Sequence, residues 1–155
     1  MARSFWVASV TQGGADAFAQ SSFSTALSGL TNQAALVREI LIEIPQPANI
    51  TAAGNTEVCI TRRTKAAMPL ITDDDVVIKQ KAFNNFTTSG AIFGYAVTRY
   101  IYSEDDDLKL IEDPLYLQID SNATTLTQTA YVRIAYELVR ITTDERIALL
   151  TLAIN

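Results

Sequence analysis

Two stretches of the chain alternate residue by residue, and that period of two constrains the fold more than any other feature. Leu36, Arg38, Ile40, Ile42 and Ile44 alternate with Val37, Glu39, Leu41 and Glu43. Ala130, Val132, Ile134, Tyr136 and Leu138 alternate with Thr129, Tyr131, Arg133, Ala135 and Glu137. Successive side chains of a strand point to opposite faces, so both stretches read as strands with one face buried. Shorter runs of the same kind lie at 57–64, 76–83, 92–102, 108–111 and 115–119. In the run at 92–102, Phe93, Tyr95, Val97 and Ile101 fall on one face, and Tyr100 and Tyr102 fall on the other, expected to point outward. Turn chemistry separates the runs: Pro45 and Pro47, Ala53-Gly54-Asn55, Pro69, the polar segment 84–90, the acidic segment 103–107 and Glu112-Asp113-Pro114. Helices do not alternate with the strands, which excludes a parallel α/β sheet. The period changes only after Ile141. There Thr142 and Glu145 have the spacing of a capping box, and Ile147, Leu150 and Ile154 follow at helical spacing. A C-terminal helix of two to three turns is expected.

The economical solution is an all-β fold, an antiparallel eight-stranded β-sandwich of jelly-roll type with a short C-terminal helix. At 155 residues the chain has the length of one domain. The alternating pattern assigns residues 36–155 to a single jelly-roll domain. Residues 1–35 are rich in Ser, Ala, Gln and Gly and read as an extended N-terminal arm. Within the arm Phe5–Val10 has the look of an edge strand, and 16–20 has weak helical potential.

Composition then limits the chemistry. The chain has no histidine, which removes the commonest general base and metal ligand. Its single cysteine, Cys59, allows neither an internal disulfide nor a Cys-x-x-Cys site and reads as a small apolar strand residue. No nucleophile constellation, P-loop or Gly-x-Gly-x-x-Gly is present. The chain is therefore expected not to be an enzyme and to need no cofactor or metal. The acidic runs 73–75, 104–107 and 112–113 read as solvated turns. Pairing of these runs with Arg62, Arg63 or Lys65 of a neighbouring subunit, or a Ca²⁺ site, stays open. The net charge of −5 and a pI near 4.6 run against a generic nucleic-acid binder. Three Asn-x-Thr sequons, at Asn49, Asn85 and Asn122, fall in expected turns. The N-terminus lacks the apolar run of a signal peptide, so folding in a cytoplasm is expected.

The segments Asp113–Ser121 and Ala130–Arg140, followed by Thr143-Asp144-Glu145, resemble the C-terminal ends of small single jelly-roll capsid proteins of icosahedral archaeal, bacterial or environmental viruses. The similarity lies in texture and strand layout over residues 36–150. It implies a self-assembling virion structural protein, put together in the host cytoplasm, with itself as homo-oligomeric partner and other capsid proteins as further ones. The low charge content and the large residues on both faces of several strands fit surfaces that a partner covers. Subunit contacts are then expected at the outward Tyr100, Tyr102 and Tyr131 and at Phe5, Trp6, Phe18 and Phe23 of the arm. Loss of residues 1–30 is expected to abolish assembly and leave the sandwich folded. One departure is the arm, whose only basic residue is Arg3. No direct nucleic-acid contact is expected, and another component or an internal membrane would face the genome. A lectin-like or carbohydrate-binding β-sandwich, or a phage decoration or tail protein, is the other reading.

Overall fold

The computed structural model describes residues 3–27, 32–45, 50–87, 90–92, 96–103, 108–124 and 127–152. Among the described residues ten strand segments and one helix follow in chain order. They are β1 (Ser4–Thr11), β2 (Ala19–Phe23), β3 (Gln33–Ile44), β4 (Ile50–Thr61) and β5 (Val76–Thr87), then β6 (Gly90–Ile92), β7 (Ala96–Ile101), β8 (Lys109–Leu110), β9 (Leu115–Thr124), β10 (Thr129–Arg140) and α1 (Thr143–Leu152). More strand segments are present than the eight expected: β8 lies within the expected run at 108–111, and the additions are β2 and the short β6.

One sheet runs β1-β10-β3-β7, with β8 also on β3; the other runs β2-β9-β4-β5-β6. Every pairing is antiparallel. The pairs are nested: β1 with β10, β2 with β9, β3 with β7, β4 with β5. A long hairpin rolled into two layers gives this order, which is the jelly-roll arrangement of a sandwich.

The arm assignment is corrected here. Ser4–Thr11 pairs with β10 over its whole length, the edge strand that Phe5–Val10 suggested. Ala19–Phe23, read as part of the arm and overlapping the 16–20 stretch of weak helical potential, pairs with β9. Serine- and alanine-rich composition hid β2, because its five residues, Ala-Gln-Ser-Ser-Phe, offer no apolar alternation.

The core lies between the sheets. Val37, Ile40, Ile42 and Ile44 of β3, with Val132 and Ile134 of β10, face Val58 and Ile60 of β4 and Leu115, Leu117 and Ile119 of β9. Trp6 closes one flank, its ring stacked on Tyr136 with centroids 3.9 Å apart. The alternation along β3 is interrupted once. Ala135 pairs with Glu39 but Tyr136 pairs with Val37, so Arg38 is an extra residue, a β-bulge. Ala35 and Val37 therefore face the core with Ile40, while Leu36 and Arg38 do not share that face as strict alternation requires. Beyond the bulge the Arg38 carbonyl accepts from the Tyr102 N–H at 3.0 Å, and the Arg38 guanidinium pairs with Glu137 at 3.3 Å.

A second, smaller cluster of Ala34, Ile111 and Ile141 packs against Leu149 of α1. The capping box is formed: the Glu145 N–H donates to Thr142 Oγ1 at 3.1 Å, and the Thr142 N–H donates to Glu145 Oε2 at 2.8 Å. Among the described residues no helix is long and apolar enough to cross a membrane.

Candidate assembly surfaces

The outer faces of the two sheets are finished differently. On β2-β9-β4-β5 the outward row Gln20, Gln118, Cys59 and Lys79 lies under the chain's own 62–75 loop. Lys65 ties that loop down, reaching Asp73 at 2.9 Å and Asp75 at 2.7 Å, and its backbone N–H donates to Gln20 Oε1 at 2.9 Å. Lys79 Nζ donates to the Pro69 carbonyl at 2.8 Å and pairs with Glu57 at 2.6 Å. Gln118 Nε2 donates to both Gln20 Oε1 and Thr61 Oγ1, each at 2.9 Å. Cys59 is fully covered, and burial pushes its thiol pKa up to about 12.

The basic residues considered for pairing between subunits are thus engaged within the chain. Arg62 meets Glu112 at 2.8 Å, Arg63 meets Asp75 at 3.6 Å, and Lys65 holds Asp73 and Asp75. The Asp75 and Asp73 carboxylates raise the Lys65 pKa, and the Lys65 ammonium holds Asp73 below the usual carboxylate range. The acidic run 104–107 lies outside the described residues. Among the described residues no group of three or more His, Cys, Asp or Glu could hold a metal ion. Two sequons expected in turns lie in strands, Asn85 in β5 and Asn122 in β9; Asn49 lies outside the described residues.

The outer face of β1-β10-β3-β7 is open. Register sets three rows across it: Phe5–Ala135–Glu39–Ile101, Val7–Arg133–Leu41–Arg99 and Ser9–Tyr131–Glu43–Val97. Phe5, Val7, Val97, Ile101 and Tyr131 are all exposed large apolar side chains on this one face. Glu39 sits among them, nearly buried. One carboxylate oxygen accepts from Arg99 Nε at 2.9 Å and Nη2 at 2.6 Å, and the other takes Arg133 Nη2 at 3.4 Å. The Arg133 guanidinium also lies 5.4 Å from the Phe5 ring centroid.

The hydrogen bonds from Arg99 hold Glu39 below the usual carboxylate range. A depressed folded-state pKa contributes stability that is complete above the unfolded value of 4.5 and is lost as pH falls through the folded one. Glu39→Gln is therefore expected to be less stable than wild type at neutral pH. The gap should narrow on acidification to about pH 3. Urea midpoints of both proteins at the two pH values check this, since the other carboxylates cancel in the comparison.

The residues expected at subunit contacts divide into two groups. Phe5 and Tyr131 lie exposed on the open face. Trp6 is buried against Tyr136. Phe23 is half-buried against the core, and Phe18 is half-buried just before β2. Tyr100 and Tyr102, expected outward, pack on the core instead. The reason is register. Tyr100 pairs with Ile40, a core residue, and paired residues share a face, so Val97, Arg99 and Ile101 take the outside. Alternation separates the two faces of a strand without naming the buried one. Of the residues read on the face opposite Tyr100 and Tyr102, Val97 and Ile101 are exposed, and Phe93 and Tyr95 lie outside the described residues.

No family model and no curated protein sequence matches the chain. Solved structures do. The chain is similar to VP1 of Trichodysplasia spinulosa-associated polyomavirus, solved in complex with GM1 oligosaccharide, with a TM-score of 0.60 and 5% identity over 89% of this chain and 95% of that one. It is also similar to a chain of tomato aspermy virus, with a TM-score of 0.49 and 10% identity over 91% of this chain and 79% of that one. At such identity the likeness to VP1 is a likeness of fold, and it agrees with the nested strand order of a jelly-roll sandwich.

Proposed function

We propose that this chain is a virion structural protein, a single jelly-roll capsid subunit that acts by self-assembly. The observation that carries the reading is the jelly-roll path shared with a polyomavirus VP1 across nearly the whole of both chains. The open face supports it. A soluble monomer scatters its exposed apolar side chains, whereas five large ones share a single sheet face here. The other sheet does not need a partner in the same way, because the 62–75 loop already lies across it.

The subunit contacts follow from the same geometry. Phe5 and Tyr131 belong to them, joined by Val7, Val97 and Ile101, which carry the exposed apolar area of the face. Trp6, Tyr100 and Tyr102 act one layer down, as the packing that keeps that face rigid. Partners are further copies of the chain, and the assembled particle is where the protein resides.

The test is the size of the purified protein, by light scattering and negative-stain microscopy across salt and pH. Closed shells or discrete rings of subunits are the expected result. A monomer under every condition overturns the reading.

A further inference from the structure

β1 is the outermost strand of its sheet. It pairs with β10 on one side, and among the described residues no strand pairs with the other. Such an edge presents a row of N–H and C=O groups to any strand that can reach it. Proteins that must stay single guard long edges with Lys, Pro, a bulge or an inward-pointing charge. Ser-Phe-Trp-Val-Ala-Ser-Val-Thr contains no charge and no proline, and its register against β10 is unbroken from Ser4 to Thr11. Its outward residues Phe5 and Val7 are 53% and 71% exposed.

We propose that β1 pairs antiparallel with β1 of a second copy, across a two-fold axis through Val7, so that the two open sheets become one. This deepens the assembly reading and rests on it. The occupant is a second copy because the strand complements itself. Being uncharged, it brings no like charges together when it meets its own image. The nearest outward cation, Arg133, is opposite Val7 on β10. Three strand spacings separate it from its counterpart, about 14 Å, beyond the roughly 8 Å screening length at physiological salt. Arg133 is also already held by Glu39 and the Phe5 ring.

The position of the axis follows from the faces. Opposed residues of an antiparallel pair share a face, so the axis must pass through a residue rather than between two. Centred on Val7, it sets Trp6 against the partner's Ala8 on the core side, large against small. Outside, it sets Val7 against the partner's Val7 and Phe5 against the partner's Ser9, with Phe5 diagonal to the partner's Val7. The four exposed apolar side chains of the two strands then form one cluster. Centred on Ala8, it would set Val7 against Ser9 and Phe5 against Thr11 and leave that apolar surface divided.

Two variants test this in the full chain. Val7→Cys puts two thiols at the axis, and a short bismaleimide joins them; Cys59 does not compete, because it is buried. Leu70→Cys, at a site 73% exposed on the loop over the other sheet, is the control. Val7→Lys faces solvent in the single subunit and sets two ammonium groups against each other in the pair; its circular dichroism spectrum confirms the fold. The expected result is dimer cross-linking of V7C faster than L70C by on the order of tenfold or more, and loss of the pair in V7K. Cross-linking of V7C no faster than L70C overturns the proposal. If V7K still gives the same particles as wild type, the β1 contact falls while the assembly reading stands. A wild-type chain that never self-associates overturns both.

Discussion

A chain that begins at residue 31 is expected not to fold. The deletion removes β1 and β2, one edge strand from each sheet, and with them Trp6, Val10 and Leu27 of the core. It uncovers Thr129–Tyr136 of β10 on one side and the first half of β9. It also removes Gln12, which accepts from the Gln128 N–H at 3.0 Å and donates to Ser121 Oγ at 2.9 Å, and so leaves the buried Gln128 N–H without that acceptor. Each such orphan costs about 1–3 kcal/mol, and each large core side chain lost costs about 2–5 kcal/mol. Those losses together are as large as the roughly 5–15 kcal/mol by which a domain is stable. The checks are near-UV circular dichroism and the cooperativity of a thermal melt. A truncated protein with a sharp transition would show that β1 and β2 are accessories, as the composition of residues 1–35 first implies.

Trp6→Ala is the largest single-residue effect expected, a loss of about 3–5 kcal/mol. Trp6 is almost wholly buried on the inner face of an edge strand, and its ring stacks on Tyr136. The substitution empties the flank of the core and leaves Tyr136 with one face uncovered. For a chain of this size it should lower Tm by about 10 °C. Phe5→Ala, one residue away and pointing outward, should change Tm little and act on self-association instead. Denaturant titration of the two variants side by side separates the roles of adjacent residues on opposite faces.

Much of this was legible in the sequence. The long strands, β3 and β10, and the capping box of α1 announced themselves, because alternation and capping are local patterns. The jelly-roll class followed from many short strands without intervening helices. What stayed hidden depends on partners far away in the chain. β2 is a strand because β9 pairs with it, not because Ala-Gln-Ser-Ser-Phe favours one. The bulge at Arg38 shifts the inward face of β3 by one residue, and only the register against β10 reveals it. Tyr100 faces inward because Ile40 does. The ion pairs of Arg62, Arg63 and Lys65 close within the chain because the 62–75 loop folds back over its own sheet, a path that charge patterning does not encode.

The nested pairing also has a consequence in time. Ser4 is made well before its partner Tyr136. Every pairing of β1 must therefore wait until β10 is made, and the contacts in between close from the inside outward, β4 with β5 before β1 with β10. A topology so dominated by distant pairings folds slowly, and its unpaired strands stay exposed in the meantime. The open face is whole only when β1 has met β10, so the order of synthesis itself delays any contact made through that face.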